Sequence, residues 1–240
     1  MEAWEFILKK TSPKVLCLYN EGSLIERCGI GVAKYLGIKT VALQHGIITE
    51  THPDYNYPSD LQLTAPDYLV VWGPYEKKII NIPKSCKILP LGSPQHDFAH
   101  HWKPSQASQE NKKIILWCTQ GHDRTMKLSG EWDVLTKEIF RSVKQLSDEY
   151  RLVIKQHPAE KRSLYYMMQC LRYGIDANIY SHDEIDLHTL LYNAAYTLIR
   201  HSTTGIESVL LGTPAVIGDI LKQEKNSIFE KFPKFSSSRE

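Results

Sequence analysis

Short apolar runs recur along the chain, each followed by a polar bend and then an amphipathic stretch. That alternation restricts the fold more than any other feature. It is the pattern of parallel strands joined by crossover helices. Strands are expected at 15–19, 39–44, 68–72 and 87–91. Ser23 is placed to cap a helix running to about Leu36, with Gly37 ending it, and a short helix is expected at 75–81. The segment 102–113 is rich in Lys, Pro, Ser, Gln and Asn with little to bury, so it reads as a linker. After it the rhythm restarts. Strands are expected at 114–119, 151–156, 178–180, 196–199 and 215–217, with helices at 132–149, 161–173, 185–193 and from Gly205. The expected organisation is a first α/β unit over 1–101, a linker, and a second α/β unit over 114–240. The first shows about four strands where a complete Rossmann-type domain has about six, so it reads as truncated and the chain as a fragment or a reduced version of a longer protein.

Composition removes several function classes. The net charge of +2 carries no basic footprint for nucleic acid. No apolar run approaches the roughly 20 residues that span a bilayer, and residues 1–10 lack the apolar region of a signal peptide. The five cysteines are scattered and without CxxC spacing, which suits reduced thiols and a cytoplasmic location. Loose attachment to a membrane surface stays compatible with all of this.

Ligands of parallel α/β sheets sit beyond the carboxyl ends of the strands. The polar residues at those ends are Glu21, His45, Gly92-Ser93, Gln120-Gly121-His122, His157 and Ser202. The run Ser202-Thr203-Thr204-Gly205-Ile206-Glu207 opens a short helix that Gly212-Thr213-Pro214 closes. A helix start offers free N–H groups to a phosphate, and Glu207, one turn in, can accept from a sugar diol. The same Thr204-x-x-Glu207 spacing also fits a capping box. His45 can take a proton at neutral pH or merely bond its own loop, with Gly46 read as the residue that lets the chain turn. Pro158 restricts His157 to extended geometry, and Lys155 shares its side of the strand. Gln120-Gly121 suits close approach to a phosphate or a plain turn, and Glu21 suits acceptor contact or a solvated turn. The spacing of His96-Asp97 and His100-His101 matches no standard zinc pattern, so no metal is expected.

Several of these segments together resemble the GT-B glycosyltransferases. Ala42-Leu43-Gln44-His45-Gly46-Ile47 is similar to the QHG segment of surface and capsular polysaccharide glycosyltransferases and to the WHG segment of CDP-glycerol glycerophosphotransferases. Pro66-Asp67-Tyr68-Leu69-Val70-Val71-Trp72-Gly73 and Leu91-Gly92-Ser93-Pro94 resemble the next two strand ends in those proteins. Lys155-Gln156-His157-Pro158 looks like their HP motif, found also in bacterial sialyltransferases, and 202–207 with 212–214 like their donor-nucleotide motif.

The resemblance implies two Rossmann-like units with the site in the cleft between them, and a glycosyltransferase of surface polysaccharide or glycolipid synthesis working in the cytoplasm or at the inner membrane face. It implies His45 as base, and Lys155, His157, Ser202, Thr203, Thr204, Gly205, Glu207, Gln120 and Gly121 around a UDP-, CDP- or CMP-linked donor. Glu21 would stand on the side of the glycan or lipid-linked acceptor, and no cofactor is implied. A CDP-polyol phosphotransferase, a UDP-sugar 2-epimerase and a non-catalytic nucleotide-binding partner subunit are the alternatives.

Overall fold

In a computed structural model of the chain, the described residues are 1–19, 22–48, 55, 57, 63–102, 113–120, 131–200 and 202–218. They form two compact α/β units, Met1–Asp97 and, among the described residues that follow, 98–218. The expected linker residues 103–112, together with Glu21, Gly121, His122 and His201, lie outside the described set. Among the described residues no helix is long and apolar enough to cross a membrane.

The first unit contains α1 (Glu2–Thr11), β1 (Val15–Leu18), α2 (Leu24–Tyr35), β2 (Lys39–Leu43), β3 (Tyr68–Val71), α3 (Glu76–Ile79) and β4 (Lys87–Pro90). Its four strands are parallel and lie in chain order, β1-β2-β3-β4. α1 was not expected from the sequence. It begins with Glu2 and Glu5 and ends with Lys9 and Lys10, charges that suit the two ends of a helix dipole. Trp4 and Leu8, one turn apart, face α2. The Trp4 indole lies where a Cβ at Gly29 would come within 2.8 Å of it, so only glycine allows the two helices this close. Ser23 occupies the expected start of α2, but its hydroxyl makes no cap hydrogen bond. Gly37 ends that helix with a φ of 73°, as expected. Ala42, Ile48, Tyr55, Leu69 and Val71 form the core at the carboxyl half of this sheet.

A 3-10 segment, Pro94–His100, carries the unit boundary. The second unit contains β5 (Lys113–Cys118), α4 (Glu131–Gln145), β6 (Tyr150–Lys155), α5 (Ser163–Tyr173), β7 (Ala177–Tyr180), α6 (Leu187–Asn193), β8 (Ala194–Ile199), α7 (Thr204–Leu210) and β9 (Ala215–Ile217). β5 is buried from Ile114 to Cys118, as a central parallel strand covered on both faces must be. Trp117, Phe140, Leu152, Ile154 and Tyr166 make the core beneath it. Burial of a side chain such as Phe140 contributes roughly 1.5–3 kcal/mol.

The second sheet has the order β7-β6-β5-β8-β9, all parallel. Strand order therefore reverses between β5 and β8. Open α/β sheets hold their ligands outside the carboxyl ends of the strands at such a reversal. The first sheet shows no reversal among the described residues. The topology singles out the ends of β5, β6 and β8.

Candidate functional site

Three expected donor-site segments follow those strands: Gln120 after β5, His157 after β6 and Ser202 after β8. β6 and β8 both pair with β5. At about 4.8 Å per strand their loops emerge about 10 Å apart, with Gln120 between them.

The His157 loop is braced from below. Lys155, Gln156 and His157 divide the work. The Lys155 ammonium is buried and donates to the carbonyls of Ser181, His182 and Ile185 at 2.8, 2.9 and 2.6 Å. All three of its hydrogens are thereby used, and burial lowers its pKa. This corrects the expectation that Lys155 meets a phosphate, because the side chain holds the β7–α6 loop instead. Gln156 is buried too, donating to Ser163 Oγ at 2.7 Å and accepting the Arg162 N–H at 2.9 Å, which fixes the entry to α5. Thr119 Oγ1 accepts the His157 N–H at 3.0 Å and donates to Glu160, whose other oxygen accepts the Tyr166 hydroxyl at 2.9 Å. Of the three motif residues only His157 is exposed. Its Nδ1 accepts the Ala159 N–H at 3.1 Å. With Nδ1 accepting, the nitrogen left to donate is Nε2.

The hydroxyl-rich bend differs from its expected form. Thr204 N–H bonds Ser202 Oγ at 3.2 Å, and Gly205 N–H bonds the Ser202 carbonyl at 3.0 Å. Ile206 N–H and Glu207 N–H both reach the Thr203 carbonyl, at 2.9 and 3.2 Å. The first turn of α7 thus satisfies its own donors, so the free N–H groups expected there are already bonded. The hydroxyls of Ser202 and Thr204, 3.0 Å apart, remain half-buried at the surface of the bend. The capping box does not form. Thr203 makes no side-chain cap bond, and the Glu207 carboxylate turns to His188, with Oε2 at 3.5 Å from Nε2.

That carboxylate is the most telling group in the unit. Its side chain is only 10% exposed, and among the described residues His188 is its one polar contact. Burial raises its pKa, and the imidazole works against the shift. His188 is held in turn by ring stacking on Phe98 (4.0 Å between centroids) and by Asp186, the N-cap of α6. Phe98 carries no mark in the sequence, and His188, with His182, reads there only as bracketing the acidic start of a helix, because nothing in residues so far apart announces that they meet. Cys118, at the end of β5, is held protonated by burial and by Glu207, its thiol pushed up to about 12.

In the first unit His45 follows β2. Gln44 is buried and anchors the bend, donating to the Gly46 carbonyl at 2.8 Å and accepting the Trp72 N–H at 2.8 Å. Gly46 has no left-handed φ, and open space lies where its Cβ would be. The turn therefore depends on Gln44, not on a glycine conformation. The Tyr55 hydroxyl accepts the His45 N–H at 3.3 Å and lies 3.1 Å from its Nδ1, with the two rings stacked. Among the described residues no three His, Cys, Asp or Glu side chains are grouped to hold a metal ion.

No protein-family model and no curated protein sequence matches the chain. Solved structures do match. S. aureus MnaA with UDP superposes with a TM-score of 0.63 at 15% identity, over 90% of this chain and 60% of that one. A Methanocaldococcus jannaschii UDP-GlcNAc 2-epimerase in complex with UDP-GlcNAc and UDP gives 0.61 at 15% identity, over 90% and 63%. The glycosyltransferase SnogD from Streptomyces nogalater gives 0.50 at 13% identity, over 90% and 57%. The chain spans about 60% of the length of the structures it matches. What it shares with them is the fold, two Rossmann-like parallel-sheet units of the GT-B kind.

Proposed function

We propose that the chain binds a nucleotide-sugar donor at the carboxyl ends of β5, β6 and β8 and serves glycosyl transfer to a hydroxyl acceptor. Glu207 carries this reading. A largely buried carboxylate whose one contact among the described residues is a histidine has acceptor capacity left for a ligand, because a buried charge is best met by several donors. The two hydroxyls of a ribose would supply them. The Nε2–H of His157 and the hydroxyls of Ser202, Thr203 and Thr204 then serve the diphosphate, with Gly205, Gln120 and Gly121 along the same strand ends. Neighbours of the same fold bind UDP or act on UDP-sugars by their own descriptions, which supports this ligand class.

In the transfer step an acceptor oxygen attacks the anomeric carbon, and the bond from that carbon to the diphosphate oxygen breaks. The nucleoside diphosphate leaves, and the acceptor proton passes to His45 Nε2. Glu21 is kept as an acceptor-side candidate.

A melting panel with UDP, CDP, CMP, GDP and ADP tests the donor site. A nucleotide at 100 times its dissociation constant adds about 2.7 kcal/mol of stability. Glu207→Ala and His157→Ala should each cut the shift. A shift that persists in both variants would refute the assignment. Product analysis with the corresponding nucleotide sugar separates transfer from epimerisation.

A further inference from the structure

α5 is apolar on two sides. Tyr166 and Cys170 belong to the core of the second unit. Leu164, Met167, Met168 and Leu171 stand on the other side, each between 52% and 78% exposed. Their helical spacing sets them in one row about 10 Å long. The outer side of a surface helix is ordinarily charged or polar, and a helix that is apolar all round is ordinarily covered. Contiguous apolar surface of this kind marks contact with a membrane or a partner. Among the described residues nothing covers the row.

Charge decides which occupant fits. No Asp or Glu occurs from Lys161 to Ile175. Lys161 and Arg162 stand at the entry to the helix, and Arg172 lies in its last turn. Lys144 reaches the same end, where its ammonium donates to the Gly174 carbonyl at 2.8 Å. Glu160, the carboxylate just before the helix, turns inward to Thr119 and Tyr166, and Asp176 follows only beyond Gly174. Two copies of α5 laid together would bring cations to cations whichever way they ran. An anionic surface meets both ends. The row itself is aliphatic and thioether, without the Trp, Tyr or Arg anchors that dominate protein interfaces. Lipid takes in such a convex ridge without a shaped groove, and basic side chains beside it keep their charged heads at the phosphate level.

We propose that Leu164, Met167, Met168 and Leu171 of α5 seat in an anionic membrane surface, with Lys161, Arg162 and Arg172 against its phosphates. The seat goes beyond the donor reading and stands without it. Where both hold, the donor site works beside the bilayer, because the His157 bend runs directly into α5 and Gln156 ties it to Ser163 Oγ at 2.7 Å.

Flotation of the full chain with vesicles makes the test, one set of pure phosphatidylcholine and the other an equal mixture with phosphatidylglycerol. The wild type should float with the anionic set and stay behind with the neutral one. Leu164→Gln with Leu171→Gln should cut binding about tenfold or more. The melting temperature of that pair should stay level, since exposed side chains contribute little to the fold. Lys161→Gln with Arg172→Gln should cut binding about twentyfold, from the worth of two cations near such a surface. Flotation of the wild type with neither set, or equally with both, overturns the seat. So does binding that the leucine pair leaves intact, which would make the contact electrostatic alone or place it elsewhere. A lower melting temperature in the leucine pair also overturns it, by showing the row packed within the fold. A chain that is dimeric without vesicles and monomeric in the leucine pair assigns the row to a second copy instead.

Discussion

The two sheets present a histidine in the same way. Gln44-His45 follows β2 and Gln156-His157 follows β6. Each glutamine is buried, 3% and 2% exposed, and uses both ends of its amide to tie the local chain. The histidine that follows is thereby held at the strand end without being packed in. The difference lies at Nδ1. For His157 the partner is a backbone N–H, which can only donate, so Nδ1 accepts and Nε2 is the nitrogen left to donate. For His45 the partner is the Tyr55 hydroxyl, which can donate or accept. His45 can therefore present a bare Nε2, whereas His157 presents an N–H there. The atom behind each ring divides the roles that residue type alone leaves open.

The largest effect should come from testing that division directly. His45→Ala should lower turnover by about 10²–10⁴-fold, the usual worth of a general base, and leave UDP affinity within twofold. A loss of UDP affinity as large as the loss of turnover would sink the division of roles. Next come the braces. Gln44→Leu and Gln156→Leu each leave a backbone N–H without its acceptor and a carbonyl or hydroxyl without its donor. Each should cost about 2–3 kcal/mol of stability, measured by urea unfolding. Variants as stable as wild type would show that the amides do not hold these bends.

Much of this architecture is legible in the chain itself. The alternation of apolar runs and polar bends locates all nine described strands to within a few residues, because parallel strands joined by crossover helices are short and mostly apolar. α1 escapes that reading. Its apolar residues fall on more than one side, with Phe6 and Ile7 exposed and only Leu8 fully buried. Trp4 and Leu8 at one-turn spacing between acidic and basic ends were the available signal. The candidate site is less legible for a different reason. Strand alternation shows that Lys155 shares a side with His157, but not that the β7–α6 loop brings three carbonyls to its ammonium. Likewise the sequence shows Glu207 one turn into α7, but not that His188 faces it. Partners brought together by tertiary packing leave no mark in local spacing. The repeated Gln-His pair was the one visible sign of bracing.

Smaller effects sharpen the comparison. Tyr55→Phe keeps the stacked ring and removes only the hydroxyl at Nδ1. Losing one such hydrogen bond, about 1.4 kcal/mol, should reduce turnover roughly tenfold and alter its pH profile, with UDP affinity unchanged. An unaltered pH profile would show that the hydroxyl does not govern His45.

Glu207→Gln should give the smallest change and a positive one. Burial raises the Glu207 pKa in the fold, with His188 opposing. The fold therefore binds this proton more tightly than the unfolded chain. Its contribution is complete at low pH and is lost as pH rises through the folded value. Glutamine removes the buried charge, so the variant should melt about 2 °C above wild type at pH 8 and show no gain at pH 4. The same variant should bind UDP more weakly, since it keeps the volume and gives up the charge that two ribose hydroxyls would meet. A gain in stability with undiminished UDP affinity would separate Glu207 from the nucleotide and leave its burial to packing alone.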